Sequence, residues 1–215
     1  MGQHKQSQQI LIHKHNTSTY AFVDTDILIV LNALKLRDHS DIDSDVIITI
    51  PVSQEDNTLT SKLREVDLLR HAKDLLLPIK ITGRYHWQLI RISKDNGKII
   101  CGLYDTNGKV VRPDSNLINE IQRVVPNVEV IDPETRNWHQ WHISAQKNVN
   151  CGLVVALMAH QLRLKSTTKQ SNETHYYAGF NPRMEDDALR DQVSNTVMQY
   201  GNDTDKMIFC TYKPS

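Results

Sequence analysis

"YHWQLIRISKDNGKIICGLYD", residues 85–105, decides how this chain folds. Two β-rich runs, 85–94 and 98–105, flank the dipeptide Asn96-Gly97. Asn-Gly between such runs signals a hairpin, because its tight turn needs residues that accept positive φ. With Asn96-Gly97 as a two-residue loop, Asp95 faces Lys98. Counting back along both strands, His86 faces Asn107, and Asp105 lies diagonally from His86 on the same side of the sheet. Diagonal neighbours are roughly 7 Å apart, within reach of an imidazole–carboxylate hydrogen bond. A three-residue loop would put the two on opposite faces. Taken alone, the pair reads more readily as a surface histidine and a turn aspartate.

A second stretch gives the pair a partner. In "QKNVNCGLVVALMAHQL" (146–162), Cys151 separates a polar loop from a run that is apolar almost all round. Such a run predicts a helix buried in the core, here over 152–164. A cysteine at that helix's mouth sits at the positive end of its dipole, and a neighbouring imidazolium also favours the thiolate. A Cys–His–Asp set is chemically coherent: His86 takes the thiol proton and Asp105 holds the ring in the right tautomer. The bland alternative for a lone cysteine is a small core hydrophobe. Cys101 and Cys210, both expected inside strands, fit that description.

Around these stretches the pattern predicts an α+β domain. Helices are expected over 24–36 (N-cap Asp24 or Thr25; Ile27, Leu28, Leu31 and Leu34 on one face), 61–77, 114–125 and 185–200. The 61–77 helix rests on the spacing of Leu63, Val66, Leu69 and Ala72, with Pro78 ending it. Strands are expected over 43–53 (ended by Pro51), 128–131, 138–146 and 206–212, with a loop over 172–184. Residues 1–19 read as a polar N-terminal extension and 20–215 as a single domain.

Composition narrows the function classes. Lys+Arg 25 against Asp+Glu 25 gives no field that would draw nucleic acid or an anionic membrane. Three cysteines without paired spacing argue against a disulfide framework and for a reducing compartment. The N-terminus lacks the apolar core of a signal peptide, and the apolar runs near 27–34 and 151–159 are too short to span a bilayer. An intracellular protein is expected, or one exported without a cleaved Sec signal. His139 and His142 in "WHQWH" suggest a metal, but a strand directs positions three apart to opposite faces and no third ligand is evident. Trp138 and Trp141 read as packing or contact residues. No metal and no cofactor is expected.

His86-Trp87 opening a strand, Asp105 closing the next, then Gln146 shortly before Cys151-Gly152 and an apolar helix resembles the CE-clan cysteine proteases. These are the ubiquitin-like-protein proteases, including SUMO and NEDD8 proteases and bacterial deubiquitinase effectors. The spacings, 19 residues from His86 to Asp105 and 46 from Asp105 to Cys151, suit that family. The resemblance runs over roughly 20–212, taking in "DTDILIVLNAL" and "VIITIPV" upstream. It implies a papain-like variant fold, a central mixed sheet flanked by helices. It also implies a cysteine isopeptidase that cleaves after the Gly-Gly tail of a modifier, without a cofactor. Cys151 would be the nucleophile, His86 the general base and later acid, and Asp105 the orienting carboxylate. Gln146 and the Cys151 backbone N–H would form the oxyanion hole. Trp87 would wall a channel that admits only glycines.

Two residues depart from the family pattern. Asn150 stands where the family usually has Asp, and Gln146 lies five residues before Cys151, where the eukaryotic members commonly have one residue more. The implied partner is ubiquitin or a ubiquitin-like modifier such as SUMO or NEDD8, met by a monomer. A composition rich in Asn, Lys, Ile and Thr leans toward ubiquitin and a bacterial effector acting in a host cytoplasm. Two rivals follow from the same residues. One is the acetyltransferase effectors of the clan, which typically carry Glu as the acid and lack Trp after the His. The other is a modifier-binding domain without turnover.

Overall fold

The computed structural model describes residues 22–39, 45–54, 58–64, 72–81, 86–106, 110–111, 115–130, 150–167, 179–180 and 186–211. The hairpin forms as its turn dictates. Asn96 and Gly97 take positive φ (50° and 79°), joining β4 (Trp87–Asp95) to β5 (Lys98–Asp105) with Asp95 opposite Lys98 and Gln88 opposite Asp105. β3 (Asp74–Lys80) lies antiparallel on the other side of β4. Two short strands, β1 (Val46–Ile48) and β2 (Val52–Ser53), run parallel to β3. β6 (Val110–Val111) and β7 (Glu129–Val130) both pair with β5, the first antiparallel and the second parallel. The sheet is therefore mixed, in the order β1-β3-β4-β5-β6.

Helices cover both faces. On one lie α1 (Asp24–Arg37), α4 (Cys151–Thr167), α5 (Asp186–Tyr200) and α6 (Asp203–Thr211), sharing a core with Leu76, Leu89 and Tyr104. On the other, α2 (Thr58–Arg64) and α3 (Ser115–Val124) bury Leu59, Leu63, Leu117 and Ile121 against Leu75, Leu77, Ile90 and Ile92. α4 packs on α1 on one side and on β1, β3 and β4 on the other. Leu153, Val155, Ala156, Met158 and Ala159 consequently have no exposed surface, as expected of a helix apolar all round.

Several expectations are corrected. The helix over 61–77 is instead the short α2 followed by β3. "DLLLPIK" is buried on both faces, so its leucines lack the alternation of a one-sided strand and mimic helical spacing. Pro78 lies inside β3. The Leu76 and Lys80 carbonyls accept N–H groups from Thr49 and Gln54, so Pro78, between them on the same edge, faces the gap between β1 and β2, where no N–H is needed. Pro51 separates β1 from β2 and does not end a single 43–53 strand. The N-cap of α1 is Val23, whose N–H is held by Asp26 Oδ2 at 3.0 Å, and Leu28 is 36% exposed while Ile27, Leu31 and Leu34 are buried.

The late strand over 206–212 is the helix α6. Asn202 caps it, its Oδ1 accepting the Asp205 N–H at 2.8 Å, and Phe209 packs on Phe22 with ring centroids 6.3 Å apart. Cys210 therefore belongs to a helix. The 1–19 extension, the 138–146 strand and most of the 172–184 loop lie outside the described residues.

Candidate active site

The register set by the turn brings His86 to Asp105. His86 directly precedes β4, and its carbonyl accepts the Ile81 N–H at 3.0 Å. Its Nε2 is 2.9 Å from Asp105 Oδ2. Gln88 Nε2, directly across the ladder, donates to the same Oδ2 at 2.7 Å. The His86 pKa is raised to about 9, first by the Asp105 hydrogen bond and then by a hydrogen bond to Cys151, with burial opposing both. With Nε2 engaged by the carboxylate, Nδ1 is the ring nitrogen left for the sulfur.

Cys151 opens α4, one residue further toward the N-terminus than the sequence predicts, and is 6% exposed. The Asn150 carbonyl accepts the Val154 N–H at 2.9 Å, the first bond of the helix. Asn150, buried, also accepts Arg190 Nε of α5 at Oδ1, 2.6 Å away. Arg190 is itself buried and lies 5.4 Å over the Phe22 ring. The Phe22 carbonyl accepts the Trp87 indole N–H at 3.0 Å, and Phe22 and Trp87 both press on Gly152. Asn150 is thus pinned from α5, and the first turn of α4 from β4.

Trp87, 3% exposed, packs in the core beside Gly152. Gln146 lies outside the described residues, as do Trp138, His139, Trp141 and His142. Among the described residues no group of three or more His, Cys, Asp or Glu side chains could hold a metal ion, and no helix is long and apolar enough to cross a membrane. Cys101 is fully buried, which pushes its thiol up to about 12.

A second His–Asp pair shows what separates the first from ordinary structure. His160 of α4 has no exposed surface, and its Nε2 is 2.7 Å from Asp38 Oδ2 at the end of α1. Arg163 engages its Nδ1, and burial holds its pKa below the usual value. Both ring nitrogens are occupied, so His160 ties α4 to α1 and has no nitrogen to offer a nucleophile. His86 is held by Asp105 at Nε2 and also interacts with Cys151. Gln88, Arg190 and Phe22 were not singled out by the sequence. Gln88 was legible in principle, since the hairpin register puts it opposite Asp105, whereas the Arg190–Asn150 contact has no local signal.

No protein-family model and no curated protein sequence matches the chain. Solved structures do. The Ulp1-like SUMO protease catalytic domain of Chaetomium thermophilum superposes with a TM-score of 0.52 at 13% identity, covering 92% of this chain and 80% of that one. The central domain of an uncharacterized Legionella pneumophila protein gives the same TM-score and identity, covering 84% of this chain and 98% of that one. The fold is thus α+β, a mixed sheet flanked by helices like that of the Ulp1-like protease domain.

Proposed function

We propose that this chain is a cysteine isopeptidase that releases ubiquitin or a ubiquitin-like modifier by cleaving after its C-terminal Gly-Gly. The observation that carries it is one imidazole shared between Asp105, at 2.9 Å, and the thiol that opens the central helix. The fold likeness to a SUMO protease domain supports the substrate class. With the Cys151 proton already carried by His86, sulfur adds to the terminal glycine carbonyl. Collapse of the oxyanion breaks the isopeptide C–N bond, and His86 gives its proton to the departing lysine amine. Water, deprotonated by His86, then cleaves the thioester, releasing the glycine carboxylate and restoring the thiol. Gln146 and the Cys151 N–H stabilise the oxyanion, a role whose loss typically costs ~100–1000-fold in rate. Trp87 lines the glycine channel. We assign catalysis to a single domain over 20–215, acting as a monomer in a reducing compartment without a cofactor.

Ubiquitin and SUMO probes carrying a C-terminal electrophile test this. One of them is expected to label Cys151, and failure of every modifier probe would overturn the assignment.

The pH profile gives an independent check. Imidazolium is the form of His86 that protonates the leaving amine. Because its pKa is raised to about 9, that form persists through neutral pH and is lost above. Activity should therefore fall along an alkaline limb near pH 9. Asp105→Asn removes the largest cause of the upward shift, so its limb should lie at lower pH. A limb unmoved in that variant contradicts the assigned role of Asp105. Linkage has the same sign: the pair's stabilisation is complete below about pH 6.5 and is lost as pH rises through about 9.

A further inference from the structure

We propose that Gln88 is a positioning residue, which holds the Asp105 carboxylate in the orientation that serves His86. This builds on the isopeptidase function proposed above. His86 and Gln88 are two apart along the chain and share one face, as the strand period requires. Gln88 is the direct cross-strand partner of Asp105, and His86 its diagonal one. Both send a nitrogen to the same oxygen, Oδ2, at 2.7 Å from Gln88 and 2.9 Å from His86.

Two donors on one oxygen fill its two lone-pair directions and set the plane of the carboxylate. An aspartate without the second donor can rotate about its last torsion, a broad and nearly two-fold one, and present either oxygen or neither to the ring. The Asp105 side chain is only 12% exposed, so water is a poor substitute for the glutamine amide. The amide is also neutral. It fixes the carboxylate without cancelling the charge that supports an imidazolium, as Lys or Arg at position 88 would. Gln88 reaches no reacting atom and acts only through Asp105.

Gln88→Met keeps the length of the side chain and removes the donor. Titration of the His86 ring by NMR, in folded protein, should show its midpoint moving from about 9 toward the ordinary value near 6.5. The kcat on a modifier substrate should fall about 10-fold with KM unchanged, the mark of a misplaced catalytic group. Gln88→Val, whose branched side chain suits a strand and carries no donor, gives the same two measurements if the methionine variant does not fold. A midpoint unchanged or raised in either folded variant overturns the proposal. The ring titration needs no substrate. A chain that cleaves no modifier yet shows the downward midpoint would lose the isopeptidase assignment and keep the role of Gln88.

Discussion

Replacing Cys151 with alanine will abolish cleavage of a fluorogenic modifier substrate and leave modifier binding in place. Loss of a triad nucleophile costs on the order of 10⁶ in kcat. Cys101 cannot stand in, since it is fully buried and burial pushes its pKa to about 12. Alanine suits the first turn of α4 and removes only a sulfur from a site that is already 6% exposed, so the fold and the modifier surface should survive. His86→Ala should silence turnover in the same way. Asp105→Asn should be milder, because it disturbs the orientation of the base and leaves the base present. Equal turnover by wild type and Cys151→Ala would end the isopeptidase proposal.

Gly152→Ala is expected to damage both the fold and the site. A Cβ at Gly152 would lie 2.6 Å from Phe22 Cβ, 3.1 Å from the Phe22 carbonyl oxygen and 3.2 Å from Trp87 Cδ1. None of these is the loose end of a flexible side chain. The Phe22 carbonyl is held by the Trp87 indole, and its ring contacts Phe209 and lies under Arg190. Alanine improves helix propensity by up to about 1 kcal/mol. Overpacking of this kind costs about 1–3 kcal/mol, so the clash wins. The cheapest relief moves the start of α4 away from β4, and Cys151 away from His86 with it. A displacement near 1 Å at a catalytic group costs about 100-fold in rate. Thermal denaturation and probe labelling, measured side by side, should both fall; a Gly152→Ala protein with wild-type melting and labelling would show that the contact is not tight.

How much of this was legible depends on whether the signal was local. The Asn96-Gly97 turn is local chemistry, and it was enough to put His86 beside Asp105. The all-round apolar run after Cys151 likewise announced a buried helix. β3 was lost because a strand buried on both faces has no alternation to read, and its proline faces a gap that only the neighbouring strands define. α6 was lost although "NDTD" carries a capping signal, because the apolar "MIF" outweighed it. Asn150 looked out of pattern in sequence. Its buried partner Arg190 lies 40 residues away, and only the packing of α5 brings the two together.

The turn that sets the register stands at the far end of the hairpin from the chemistry. Eight residues of β5 separate the two ends, roughly 25 Å at the rise of an extended strand. The alignment of His86 and Asp105 is therefore gauged by a solvent-side loop that touches neither. Side-chain changes at that loop should be tolerated as long as its length and left-handed backbone survive. A single inserted residue would part His86 from Asp105 from a distance, with both side chains still present in the chain.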